Sequence, residues 1–184
     1  MIQINELIRE IDDCPIGREG WSQFEEICTR VLEFLFVPPL TRPNRQSRTY
    51  SGVNRRDAIF PNRNITNTGI GNCLNWHHLY VELNARFILF EFKNYNSTPL
   101  SHEEVNQTRN YLVSTIGKLG IIVSTKDPED SAMRQRNIAY TQEGKVIIFL
   151  KKEHLKEMLA MKERNEDPSD LIMDMIELFY IQHE

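Results

Sequence analysis

The chain of 184 residues predicts an α/β fold: one central mixed β-sheet flanked by helices, with a C-terminal helical extension. Three observations predict the α/β class. Strand-like and helix-like runs alternate along most of the chain, the pattern of a sheet covered by helices. The run Phe87-Ile88-Leu89-Phe90-Glu91-Phe92-Lys93 carries large apolar residues at both parities, which suits a central strand covered on both faces. The composition, 40% hydrophobic and 26% charged, is that of a globular protein with a sizeable core. Residues 1–150 are expected to form the main domain and 151–184 helices packed on the same domain.

The elements follow in order. Ile4, Leu7, Ile8 and Ile11 recur at helical spacing and predict a short first helix, stopping near Cys14-Pro15-Ile16-Gly17. Gly20 to Phe36 reads as a stronger helix. Trp21, Phe24, Ile27, Cys28, Val31, Leu32 and Leu35 form its buried side, and Pro38-Pro39 ends it. Residues 40–56 are polar and read as loop, with Ser51-Gly52 as punctuation. A strand is expected over about 55–60, then an Asn-rich loop from Pro61, a helix over 75–84 and the strand 87–93. Ser101-His102-Glu103-Glu104 is a capping box that opens a helix running to about Ile116. Strand Gly120–Ser124, helix 129–139, strand Lys145–Leu150 and helix Lys152–Arg164 complete the alternation. Asp167-Pro168 supplies a cap and a first-position proline for the last helix.

Several classes are excluded or disfavoured. No stretch approaches the roughly 20 apolar residues of a membrane span. The first residues lack the basic start and apolar core of a signal peptide. Cys14, Cys28 and Cys73 are few, odd in number and far apart, unlike a disulfide framework. The expected location is the cytoplasm. A net charge of −4 argues against indiscriminate nucleic-acid binding. Yet Arg42, Arg45, Arg48, Arg55, Arg56 and Arg63 crowd a segment whose one acid is Asp57. A basic patch on an acidic body can seat a polyanion such as DNA. Cys73, His77 and His78 make no zinc site, because adjacent His side chains diverge and a second Cys is missing.

The chemistry centres on Glu91 and Lys93. Strand side chains alternate, so these two share a face. Charges on a buried strand face are costly unless paired or used to hold a metal. Asp57, on the preceding strand, supplies a second carboxylate. Helical geometry separates Glu25 from its neighbour: Glu25 lies on the edge of the apolar stripe, whereas Glu26 points to solvent. Glu25 is therefore the expected additional acid. In the last helix Asp170, Asp174 and Glu177 line one stripe among many apolar residues, either for packing on the domain or for docking a second copy or a partner.

These residues, in this order, resemble the PD-(D/E)xK nuclease superfamily, nearest its Mrr-like restriction-endonuclease branch. Gly20-Trp21-x-x-Phe24-Glu25 opens a helix, Asp57 sits on a strand after a basic loop, Glu91-Phe92-Lys93-Asn94-Tyr95 follows, and Gln107 and Tyr111 lie in the next helix. The resemblance covers roughly residues 17–150; Arg56 stands where the pattern has a proline. It implies a DNA endonuclease dependent on Mg²⁺, or Mn²⁺ in its place, in the setting of restriction or anti-phage defence. Asp57, Glu91 and the Phe92 carbonyl would ligate the metal. Lys93 would orient water or stabilise charge, Gln107 would position substrate or water, and Glu25 would reach the metal or its water. The alternatives are an enzyme of this fold acting on RNA or branched DNA, or an inert nucleic-acid-binding or scaffold protein. A partner protein of a defence system could engage the C-terminal helices, since no helix-turn-helix or zinc-finger pattern offers sequence readout.

Overall fold

A computed structural model describes residues 2–48, 55–66 and 74–183. The described elements are α1 (Ile2–Asp13), α2 (Trp21–Phe36), β1 (Asn44–Arg48), β2 (Arg55–Pro61), α3 (Leu74–Leu83), β3 (Phe87–Lys93), α4 (His102–Tyr111), β4 (Leu119–Ser124), α5 (Asp130–Glu143), β5 (Val146–Lys151), α6 (Lys152–Glu163) and α7 (Ser169–Gln182). The strands form a five-stranded sheet in the order β1-β2-β3-β4-β5. β1, β2 and β3 pair antiparallel. β3, β4 and β5 pair parallel, joined by α4 and α5, because parallel neighbours need a crossover.

Alternation along β3 divides the core in two. Ile88, Phe90 and Phe92 join Phe60, Ile121 and Ile148 against α1, α2, α3, α6 and α7. Leu89 joins Ile59, Ile122 and Ile147 against Leu100, Val105 and Tyr111 on the side of α4 and α5. β3 is the middle strand, and its interior residues are all buried, as a strand covered on both faces requires. The C-terminal helices are integral: Leu155, Leu159, Ile172, Ile176 and Phe179 share the core of Phe24, Leu32 and Phe90. On α7 the acids Asp170, Asp174 and Glu177 face solvent, and Leu178 and Ile181 are also exposed. No described helix is long and apolar enough to cross a membrane.

The structure corrects three expectations. Residues 40–56 are not all loop, since Asn44–Arg48 pairs with β2 from Asn44↔Ile59 to Arg48↔Arg55. Its Asn-Arg-Gln-Ser-Arg sequence lacks apolar alternation because it forms a sheet edge, where charge deters further pairing. α4 ends at Tyr111, short of Ile116. The chain must turn into β4 beside residues 84–85, and Gly117 does so at φ +117, where a Cβ would lie 2.3 Å from the Asn84 carbonyl oxygen. Trp21 is not in the buried stripe but is 49% exposed at the start of α2. Elsewhere, α5 runs to Glu143 and is stopped by Gly144 in the left-handed region. The helix α7 starts at Ser169 with Pro168 at its N-cap, one position later than expected; Asp167 accepts from the Ser169 backbone N–H at 2.9 Å and hydroxyl at 2.7 Å. Ser51, Gly52 and Cys73 lie outside the described residues.

Candidate active site

Continuing the register beyond Ala58↔Phe90 sets Asp57 opposite Glu91, so both side chains rise on one face. There the side chains take over the strand hydrogen bonds. The Phe92 N–H donates to Asp57 Oδ2 at 2.8 Å, and the Glu91 carboxylate accepts from the Asp57 backbone N–H. Each acid is thus anchored to the backbone of the other's strand. In a β-strand the N–H and C=O of one residue point the same way, so the Phe92 carbonyl also faces β2 and Asp57.

Lys93 lies on the same face, its Nζ 3.9 Å from Glu91 Oε2. That distance is an ion pair without a hydrogen bond. The ammonium instead donates to Gln107 Oε1 at 2.8 Å, and Gln107 Nε2 donates to the Tyr111 hydroxyl at 2.9 Å. α4 therefore holds Lys93 through residues one turn apart. Arg56 closes this side, with its guanidinium 5.7 Å from the Tyr111 ring centroid and a 3.4 Å bond to the Tyr111 carbonyl.

The opposite wall comes from α2. Glu25 is buried, whereas Glu26 is exposed. The start of α2 is clamped to the end of β3 by Asn94, whose Nδ2 donates to the Pro15 carbonyl at 2.9 Å and whose Oδ1 accepts from the Gly17 N–H at 3.2 Å. Gly20 allows this approach, since a Cβ there would lie 1.8 Å from the Pro15 oxygen. The result is a cavity of about 390 Å³ lined by Trp21, Glu25, Asp57, Phe92, Lys93, Asn94, Gln107 and Tyr111.

The electrostatics are unbalanced. Glu91 is 1% exposed, and its Oε1 is buried with no hydrogen-bond partner. Burial first, and the Asp57 charge second, push its pKa up to about 8, against the opposing pull of Lys93 and the Asp57 N–H; Glu25 raises it further. The site holds more negative charge than Lys93 offsets, so a cation would relieve it. Among the described residues no group of three or more His, Cys, Asp or Glu side chains is placed to hold a metal. Two carboxylates plus a carbonyl suit Mg²⁺, which keeps several waters and takes one or two carboxylates.

The arginines whose side chains are described do not gather in one place. Arg56 is at the site. Arg45 bonds Glu33 at 3.2 Å and lines a small cavity beside Glu25 with Ser22, Glu26 and Thr29. Arg42 borders a different cavity with Arg30 and Phe34. Arg63 is exposed beyond Pro61, at the far end of β2 from Asp57. The β1–β2 hairpin causes the split: the start of β1 meets the end of β2, where the Thr41 N–H bonds the Pro61 carbonyl at 3.0 Å. Arg48 and Arg55 pair at the hairpin's other end, past Asp57; their side chains lie outside the described residues. Sequence reasoning put Trp21 in the core and gave Asn94 no task. The signal for both was Gly20, a glycine immediately before a helix that must touch another strand.

No protein-family model matches the chain. It is similar to a protein of Escherichia coli (strain K12) named for transposon gamma-delta and for its mass of 80.3 kDa, with 28% identity over 178 residues. The match takes in 92% of this chain but 23% of that relative, so the chain spans under a quarter of its length.

Proposed function

We propose that the chain is a metal-dependent DNA endonuclease of the PD-(D/E)xK type, related to the Mrr-like branch, that hydrolyses phosphodiester bonds. One observation carries the reading: Glu91 is buried beside Asp57 with an unpartnered oxygen, and Lys93 stands on the same face. A purely structural carboxylate would be expected to have its lone pairs satisfied.

Asp57, Glu91 and the Phe92 carbonyl would hold Mg²⁺ or Mn²⁺, which when bound polarises phosphate and acidifies water. Asp57 and Glu91 supply negative oxygens held in place by backbone N–H groups, so little reorganisation is needed. Lys93, oriented by Gln107, places positive charge where the attacked phosphate gains negative charge. Glu25, on the opposite wall, is positioned to accept a proton from water or hold it in line. Arg56 faces the approaching strand as a phosphate contact.

The test is plasmid cleavage with Mg²⁺ or Mn²⁺, comparing wild type with Asp57→Ala and Lys93→Ala. Loss of metal-dependent cleavage in both folded variants is expected. Cleavage by Asp57→Ala at the wild-type rate overturns the mechanism.

A further inference from the structure

A single exposed aromatic on a protein surface needs no explanation. What sets Trp21 apart is its place. It lies one helical turn before Glu25, and residues so spaced are about 5–6 Å apart at Cβ. It lines the cavity that holds Asp57 and Lys93, yet it is 49% exposed. Its backbone is fixed, because Gly20 abuts Pro15 and Asn94 ties this turn to the end of β3. An aromatic plate is thus held at the mouth of the site, within reach of the nucleotide flanking a phosphate bound inside.

We propose that Trp21 selects the substrate by stacking on the exposed face of a nucleobase next to the scissile phosphate, so that the enzyme acts on unpaired DNA: single strands, frayed ends or fork junctions. The inference rests on the nuclease reading of the same site. In an intact duplex both faces of a base are covered by its neighbours, so an indole can stack only where a base has left the helix or never entered one. The cavity, at about 390 Å³, is near the small end of ligand pockets, roughly 300–1,000 Å³. It admits one nucleotide, and a duplex would have to lie across its mouth. The charge distribution agrees. Among the arginines whose side chains are described, Arg56 is at the site, whereas Arg42 and Arg63 sit away from it, at the far end of the hairpin, and the chain is net negative. A long duplex tracked by its phosphates would need a continuous basic surface, whereas stacking is independent of charge.

The chain has two tryptophans, and Trp76 is fully buried against Phe36. Solvent-sensitive fluorescence therefore reports Trp21. The full chain, in Ca²⁺ to limit turnover, is titrated with an oligothymidylate, a blunt duplex and a forked duplex. Cleavage of the same three DNAs is followed separately in Mg²⁺. We expect quenching by the single strand and the fork, little by the blunt duplex, and the same order in cleavage rates. Trp21→Ala should weaken single-strand binding about 5- to 150-fold, the range of one base–aromatic stack, while Trp21→Phe should restore most of it. A merely structural tryptophan would lower binding of all three DNAs alike. Equal quenching by the blunt duplex, no binding to any of the DNAs, or undiminished single-strand preference in Trp21→Ala overturns the proposal. Cleavage of blunt duplex as fast as the fork, unchanged by Trp21→Ala, rejects the stacking role and leaves the nuclease standing. Trp21-dependent single-strand binding without any cleavage does the reverse.

Discussion

Each end of the β2–β3 pair buries a polar strand-end side chain, and two of these, Asn62 and Glu91, are treated in opposite ways. At the Pro61 end stands Asn62, 3% exposed. Its Nδ2 donates to the carbonyls of Trp76 and Ala85 at 2.8 and 3.1 Å, and its Oδ1 accepts from the Asn64 N–H and side chain at 3.2 and 2.8 Å. At the other end stands Glu91, equally buried, with one oxygen unpartnered and its proton held to about pH 8. The same sheet can satisfy a buried polar group when that group ties three segments together. A fully satisfied group specifies structure, whereas a buried charge left short of partners is retained for something that binds there.

The sharpest way to break this comparison is to delete each group in turn. Glu91→Ala should cost cleavage at least about a hundredfold, the scale of removing one preorganised electrostatic contact, while the protein stays folded. Asn62→Ala should leave the chemistry intact but lower unfolding free energy by roughly 2–4 kcal/mol, because several buried partners lose their bonds. Cleavage rates and urea unfolding of both variants check the crossing pattern. If Glu91→Ala unfolds the protein as Asn62→Ala does, the contrast collapses into two structural residues.

The second effect is smaller and isolates the charge. Because the folded-state pKa of Glu91, about 8, lies above its ordinary value of 4.5, the folded state binds a proton more tightly than the unfolded chain. Its contribution is fully present below about pH 4.5 and is lost as pH rises towards 8. The slope is at most about 1.4 kcal/mol per pH unit. Metal-free wild type should therefore lose stability across that window relative to Glu91→Gln, which cannot ionise. Adding Mg²⁺ should flatten the difference, since a cation competes with the proton. Urea unfolding at several pH values, in EDTA and in Mg²⁺, is the measurement. Parallel pH profiles for the two proteins in EDTA would mean that Glu91 is already ionised and stabilised.

How much of this was legible in sequence depended on distance along the chain. Period-two alternation put Glu91 and Lys93 on one face, and helical spacing separated Glu25 from Glu26; both inferences need only neighbours. The placement of β1 depended on pairing with β2 across the segment between them, and its polar residues carry no strand pattern of their own. The Asn94 clamp joins residues 79 positions apart, so no local window contains it. Trp21 falls on the apolar stripe by spacing alone. Its exposure follows from standing at the first turn, beyond the edge of the core. The arginines look like one patch in sequence, and those whose side chains are described are divided by the hairpin. The unpartnered oxygen of Glu91, the feature that most distinguishes the two ends of β2–β3, is a property of packing from every side.

The smallest expected effect tests whether the satisfied part of the site matters to the unsatisfied part. Lys93 is held away from direct hydrogen bonding with Glu91 by its bond to Gln107, and Gln107 is in turn held by Tyr111. In Gln107→Leu the ammonium loses that bond and should swing the remaining distance to Glu91. Two carboxylates would then be better neutralised without metal, and positive charge would move away from the position a phosphate would take. Cleavage should fall about threefold to thirtyfold, mostly in kcat, and the apparent affinity for Mg²⁺ should weaken, because the lysine competes for the same carboxylate. The bond lost is one charge-assisted hydrogen bond, worth roughly 1.5–3 kcal/mol, most of which the new ion pair recovers. Stability should therefore change little. Gln107→Glu discriminates further: it keeps an acceptor for Lys93 but adds a negative charge near Glu91. That should raise the Glu91 proton affinity and move the rise of metal binding with pH to higher pH, since the cation competes with that proton. If Gln107→Leu leaves both kcat and Mg²⁺ dependence at wild-type values, Lys93 does not need its partner, and the contrast between the ends rests on Glu91 and Asp57 alone.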